Sequence, residues 1–78
     1  MTDSLPVVDV PSNTVRHAGK TLVIRPLTEG SYQALIDGIP VGRLVYVFGT
    51  ANAVVEGDAM TEDELTAVAE AWFTAVEG

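Results

Sequence analysis

Residues 32–48 read YQALIDGIPVGRLVYVF, and this stretch decides the fold of the 78-residue chain. Asp37-Gly38 lies between two apolar runs, and a two-residue type I′ turn needs the positive φ angles that Asp and Gly tolerate. The stretch therefore predicts a β-hairpin. Its expected cross-strand pairs are Ile36 with Ile39, Ala34 with Val41, and Tyr32 with Arg43. Because Pro40 has no N–H, the second strand is expected to start at a sheet edge or at a bulge.

Further strands are expected on both sides of this hairpin, because alternating apolar residues are bounded by Gly-containing turns. The expected strands span residues 14–17, 20–25, 32–36, 41–48 and 51–56, the last following a Gly49-Thr50 turn. Residues 1–13 carry Pro6 and Pro11 and are expected to form a flexible N-terminal arm, since proline fixes φ and removes a donor. The three valines of this arm would let it add to a sheet edge.

An amphipathic helix is expected from Thr61 to Val76. Thr61 followed by Glu64 is a capping box, and Met60 with Leu65 occupies the two positions of a hydrophobic staple. One apolar face follows helical spacing and comprises Leu65, Val68, Ala69, Trp72, Phe73 and Val76. The prediction is therefore a single α+β domain over residues 14–78, with an antiparallel meander of three to five strands packed on one C-terminal helix.

The apolar residues of this sheet exceed what one helix can cover. We expect the helix to lie on the face that holds Leu44, Tyr46, Phe48, Leu35 and Val55. The opposite face would hold Tyr32, Ala34, Ile36, Ile39, Val41, Val45, Val47 and Val54. Such a face is too apolar for solvent. The arm, a second copy in a homodimer, or a different protein would cover it.

Charge is distributed unevenly along the chain. The net charge is −7, and residues 29–78 carry nine acidic residues against the single basic residue Arg43. Five of those acids lie between Glu56 and Glu64. An acidic chain repels phosphate backbones, so direct nucleic-acid binding is not expected. The candidate partner-binding residues are Glu56, Asp58, Glu62 and Asp63 with Tyr32, Ile39, Val41, Arg43, Val45 and Val47.

The sequence offers no catalytic, cofactor-binding or metal-binding residues that we would assign. There is no cysteine and one histidine, His17, which has no acidic residue within seven positions. The Gly-Lys-Thr at residues 19–21 lacks the upstream glycine and following helix of a phosphate loop. No apolar run reaches the length of a membrane span, and the N-terminus does not resemble a signal peptide. We therefore expect a cytoplasmic protein that is not an enzyme and has no cofactor or membrane partner.

Residues 11–28 read PSNTVRHAGKTLVIRPLT and resemble the opening hairpin of some phage tail-assembly proteins. Those proteins often begin with a polar arm, a valine strand, a Gly-Lys turn and a strand that ends in Arg-Pro-Leu-Thr. The resemblance implies a phage or prophage origin and transfers no functional residue.

The leading hypothesis is a small acidic protein–protein interaction module that uses an apolar sheet face and the acidic start of its helix. One alternative is an acidic inhibitor of a host nucleic-acid-binding system, similar to anti-CRISPR proteins, because acidic surfaces accelerate encounter with basic partners. A second alternative is a small-ligand-binding protein or an enzyme subunit.

Overall fold

The computed structural model describes residues 6–77 as a six-stranded antiparallel sheet followed by one α-helix. The elements are β1 (Val7–Asp9), a short 3-10 turn (Val10–Ser12), β2 (Thr14–His17), β3 (Lys20–Thr28), β4 (Ser31–Ile36), β5 (Ile39–Val47), β6 (Thr50–Val55) and α1 (Glu62–Glu77). Each strand pairs with the next one in the chain. The predicted α+β meander is confirmed, but the expected three to five strands were too few.

The additional strand is β1, which comes from the predicted arm. Val7 pairs with Arg16 and Asp9 pairs with Thr14, while Val8 packs against the core. Val8 gains burial that a free arm would not provide, which is the physical reason for edge addition. Residues 1–5 of the predicted arm, and Gly78 at the other end of the predicted domain, lie outside the described residues.

The central hairpin contains a β-bulge that changes its register. Asp37 and Gly38 both have positive φ, and Ile36 pairs with Ile39 as predicted. Beyond the turn, Val41 has no partner of its own. The register runs Leu35 with Pro40, Ala34 with Gly42, Gln33 with Arg43 and Tyr32 with Leu44. The expected pairs of Ala34 with Val41 and Tyr32 with Arg43 were therefore wrong.

Side chains alternate along a strand, so this shift of one residue places the β4 side chains on the opposite face from the one predicted relative to β5. The face predicted to lie away from the helix thus loses several members to the core. Tyr32, Ala34, Ile36 and Val41 all pack in or against the core. Leu35 was predicted on the face covered by the helix, but it lies on the opposite face, because it pairs with the exposed Val23. Phe48 leaves the predicted helix-covered face because β5 ends at Val47.

The start of α1 confirms the predicted capping box. The Thr61 backbone N–H donates to the Glu64 carboxylate at 3.0 Å, and the Glu64 N–H donates to the Thr61 hydroxyl at 3.1 Å. These bonds satisfy backbone donors that the first turn leaves free. Met60 and Leu65 are both buried, as the hydrophobic staple predicts. No helix within residues 6–77 has the length and apolarity to cross a membrane.

The sheet curls around α1 as a half-barrel. The helix contacts both edge strands, β1 and β6, as well as β2 and β5. Its buried face meets the concave side of the sheet in one core. The fully buried members of this core include Val15, Leu22, Ile24, Val41, Leu44, Leu65, Val68 and Phe73. The convex side of the sheet consequently faces away from the helix.

Candidate functional site

The convex side of the sheet, which we call the outer face, carries exposed apolar and basic side chains together. Cross-strand partners share a face. The register therefore places Arg16, Val23, Arg25, Gln33, Leu35, Arg43, Val45, Val47 and Val54 on the outer face. Val23 is 45% exposed, Val47 is 41% exposed and Val54 is 47% exposed. No element within residues 6–77 packs over this side of the sheet.

Arg25, Gln33 and Arg43 are consecutive cross-strand partners on β3, β4 and β5, and we call them the arginine row. Neighbouring strands lie 4.7–4.9 Å apart, so the two arginines are separated by about 10 Å across the row. The Arg43 guanidinium forms an ion pair with the Glu56 carboxylate at 3.4 Å. Within the described residues, Arg25 and Arg16 have no carboxylate oxygen within 4.0 Å.

The structure divides the predicted partner-binding residues between separate places. Arg43, Val45, Val47 and Glu56 lie on the outer face. Asp58, Glu62 and Asp63 are exposed in the loop before α1 and in its first turn, on the helix layer. One flat partner surface would therefore not contact both groups.

Two of the predicted contact residues point inward instead: Val41 is part of the core, and the partly buried Tyr32 packs against it. Val41 is 1% exposed, because the bulge turns it inward. Tyr32 packs edge-on against Trp72 and Phe73 with ring centroids 5.5 and 5.6 Å apart. Ile39 is 65% exposed at the tip of the hairpin. The predicted contact between Arg43 and Tyr32 is absent from the described residues, since Gln33 faces Arg43.

The exposed side of α1 carries a line of carboxylates that the sequence analysis did not identify. Asp63, Glu70 and Glu77 recur at intervals of seven residues, and all three are exposed. We call them the acidic stripe. Seven residues advance a helix by about 10.5 Å and bring it back to nearly the same face. Within the described residues, none of the three has a Lys or Arg nitrogen within 4.0 Å. The spacing was readable in the sequence once the helix was placed.

Glu64 differs from the stripe because it has local partners. The Thr61 backbone N–H that donates to its carboxylate holds the pKa of Glu64 below its ordinary value, and Lys20, whose Nζ lies 3.7 Å away, acts in the same direction. Glu64 is therefore a structural carboxylate at the helix start and is not free to bind a partner.

The remaining polar groups do not assemble a recognisable catalytic centre. Within residues 6–77, no three His, Asp or Glu side chains come together as a set of metal ligands. His17 is half-buried and Trp72 is buried. Neither Nδ1 of His17 nor Nε1 of Trp72 has a hydrogen-bond partner among the described residues. A cleft of about 600 Å³ lies between the β5–β6 turn and the second half of α1. Glu70, Glu77, Tyr46 and Phe73 are among the residues that line it.

No protein-family model, curated protein or solved structure matches this chain. The resemblance of residues 11–28 to phage tail-assembly proteins stays a prediction.

Proposed function

We propose that this chain is a small non-enzymatic protein-interaction module that binds a protein partner through the outer face of its sheet. The observation that carries the proposal is the composition of that face, where partly exposed valines surround Arg25 and Arg43. Arginine and apolar residues are enriched at the centres of protein interfaces. Exposed apolar side chains bordered by polar ones mark interaction sites, and Val23, Val47 and Val54 are each more than 40% exposed on this face.

The size of the face supports a specific complex. Six strands at intervals of 4.7–4.9 Å span about 24 Å, and the longest strands, β3 and β5, have nine residues each and run for about 30 Å. A face of roughly 700 Å² approaches the area of about 800 Å² that each partner of a standard interface buries. The guanidinium of Arg25 has no carboxylate partner among residues 6–77. It therefore favours a binding partner with carboxylates, because a buried guanidinium needs an acceptor. The proposal includes a phage or prophage origin, supported by the resemblance of residues 11–28, in which case another virion protein is the natural partner.

Site-specific photo-cross-linking tests the proposal. A photoreactive amino acid replaces Val54 on the outer face, Glu70 on the helix layer, or Glu29 in the β3–β4 turn as an exposed control. After irradiation in the native host, we expect discrete covalent adducts from position 54 and none from position 29.

The same three positions separate the proposal from the alternative of an acidic inhibitor of a nucleic-acid-binding protein. Such an inhibitor would present the acidic stripe to a basic site, and adducts would then form from position 70 and not from position 54. That result, or the absence of adducts from position 54 while the protein remains folded, would contradict the proposal.

A further inference from the structure

The two layers of the molecule carry opposite charge. Of the four basic residues in the chain, Arg16, Arg25 and Arg43 lie on the outer face, where only Asp9 and Glu56 oppose them among the described residues. The helix layer holds Glu62, Glu64 and the acidic stripe, with Lys20 as its only described basic residue. The outer face is therefore slightly cationic on a chain whose net charge is −7.

The spacing of the opposite charges matches. The arginines of the arginine row are about 10 Å apart across two strand intervals. Consecutive carboxylates of the acidic stripe are about 10.5 Å apart along α1. A helix laid along the row, perpendicular to the strands, would therefore bring one stripe carboxylate onto Arg25 and the next onto Arg43. The guanidinium of Arg43 has further N–H donors beside the Nε that faces Glu56.

The side chains around both lines of charge permit close approach. Thr66, Ala67 and Thr74 stand beside the acidic stripe at helical spacing, and none of them is large. Val23 and Val54 stand beside the arginine row and are each about half exposed. Small residues on the helix would meet these valines while the charged groups pair, so the contact would bury apolar area as well.

We infer that the acidic stripe of one copy of this chain docks across the arginine row of a second copy; this inference rests on the proposed function and names its partner. The two contacting surfaces differ, so the association is head-to-tail, and a docked pair still offers one free row and one free stripe. Such contacts build rings or open chains. Because exposed ion pairs contribute little each and are screened by salt, the association is weak and is lost at high ionic strength.

Complementary charge reversal tests this arrangement. One variant carries Arg25→Glu and Arg43→Glu, which disables the row. The other carries Glu70→Arg and Glu77→Arg, which disables the stripe. Matched controls carry Arg16→Glu, on the outer face but outside the row, or Glu29→Arg and Asp58→Arg, at exposed positions between the regular elements. Sedimentation velocity at low and high salt measures the association of each, and circular dichroism confirms that each is folded.

For the unmodified chain and both controls, we expect species larger than a dimer at high protein concentration and low salt. Each reversal variant alone should associate about tenfold or more weakly. An equimolar mixture of the two variants should again form species larger than a dimer. The native stripe of one variant meets the native row of the other, and the reversed row and reversed stripe again carry opposite charges.

Other outcomes overturn the inference. Persistent self-association of the stripe variant alone would indicate a symmetric contact between two outer faces. A monomeric unmodified chain at every concentration and salt would exclude a second copy as the partner. In that case, adducts from position 54 would still support the proposed function, whereas their absence would contradict both proposals.

Discussion

The helix α1 packs closely against β5 at Gly42 because glycine has no side chain there. A Cβ atom at this residue would overlap the Leu65 Cδ2 methyl and would lie 2.5 Å from the Val54 carbonyl oxygen. Both neighbours are fixed, since Leu65 is fully buried and Val54 belongs to the β5–β6 ladder. The φ of Gly42 lies outside the left-handed region, so steric overlap alone decides the effect of adding a methyl group.

Two opposing terms set the cost of Gly42→Ala. Alanine restricts the unfolded chain, which stabilises a protein by about 0.4–1 kcal/mol where the backbone is compatible. Overpacking a core costs about 1–3 kcal/mol, and this site lies at the upper end because a backbone oxygen must move. We therefore expect a net loss of about 2 kcal/mol. In a domain of this size, that loss lowers the melting temperature by roughly 8–16 °C.

Thermal and urea unfolding followed by Trp72 fluorescence measure this loss, because Trp72 is the only tryptophan and is 2% exposed. The double variant Gly42→Ala with Leu65→Val supplies the control. It removes the overlapping methyl but leaves the Val54 oxygen, so its cost should be smaller than the sum of the single costs. A Gly42→Ala protein as stable as the unmodified chain would refute the packing described here, since alanine would then fit between β5 and α1.

Three further predictions concern the helix start and one turn. Thr61→Ala should cost about 1 kcal/mol in urea unfolding because the Glu64 N–H loses its acceptor, while Thr61→Ser should cost little; equal losses would contradict a capping role. The lowered pKa of Glu64 stabilises the folded protein fully above the ordinary pKa of 4.5, and this stability is lost as pH falls through the lower pKa of the folded state. The free energy of unfolding of Glu64→Gln should therefore fall less steeply with decreasing pH in this range than that of the unmodified chain. A parallel fall in both proteins would count against the ion pair and the cap. Phe48→Asn should raise the free energy of unfolding by about 0.5–1 kcal/mol in the same assay. Phe48 is fully exposed and has a φ of 51°, a left-handed conformation that asparagine adopts more readily than a bulky residue. A loss of stability would show that the ring packs against the protein in solution.

The elements whose signals are local were predictable from the sequence. Thr61 with Glu64 identified the start of α1, and Asp37-Gly38 identified the central turn, because each signal depends on residues within a few positions. The turn between β5 and β6 was placed one residue too late. Glycine follows Phe48, and the pair adopts positive φ despite the bulky ring, which turn propensities do not anticipate.

The candidate site was harder to predict because it depends on register. Pro40 indicated an edge or a bulge, and the structure has a bulge at Val41. The sequence did not show which residue would be the extra one. That choice moved Tyr32 inward and placed Gln33 between Arg25 and Arg43. The arginine row spans three strands, so no local pattern reveals it, whereas the acidic stripe lies on one helix and follows from its period.

The position of α1 after all six strands affects how the chain folds during synthesis. β-hairpins form in about 1–10 μs, whereas ribosomes add roughly 5–20 residues each second. The 16 residues of α1 therefore take about 1–3 s to be made. Strands that have emerged can pair while α1 is still within the ribosome, and Leu22, Ile24 and Leu44 then have no helix to cover them. The newly made sheet is thus exposed to aggregation or to chaperones until α1 emerges.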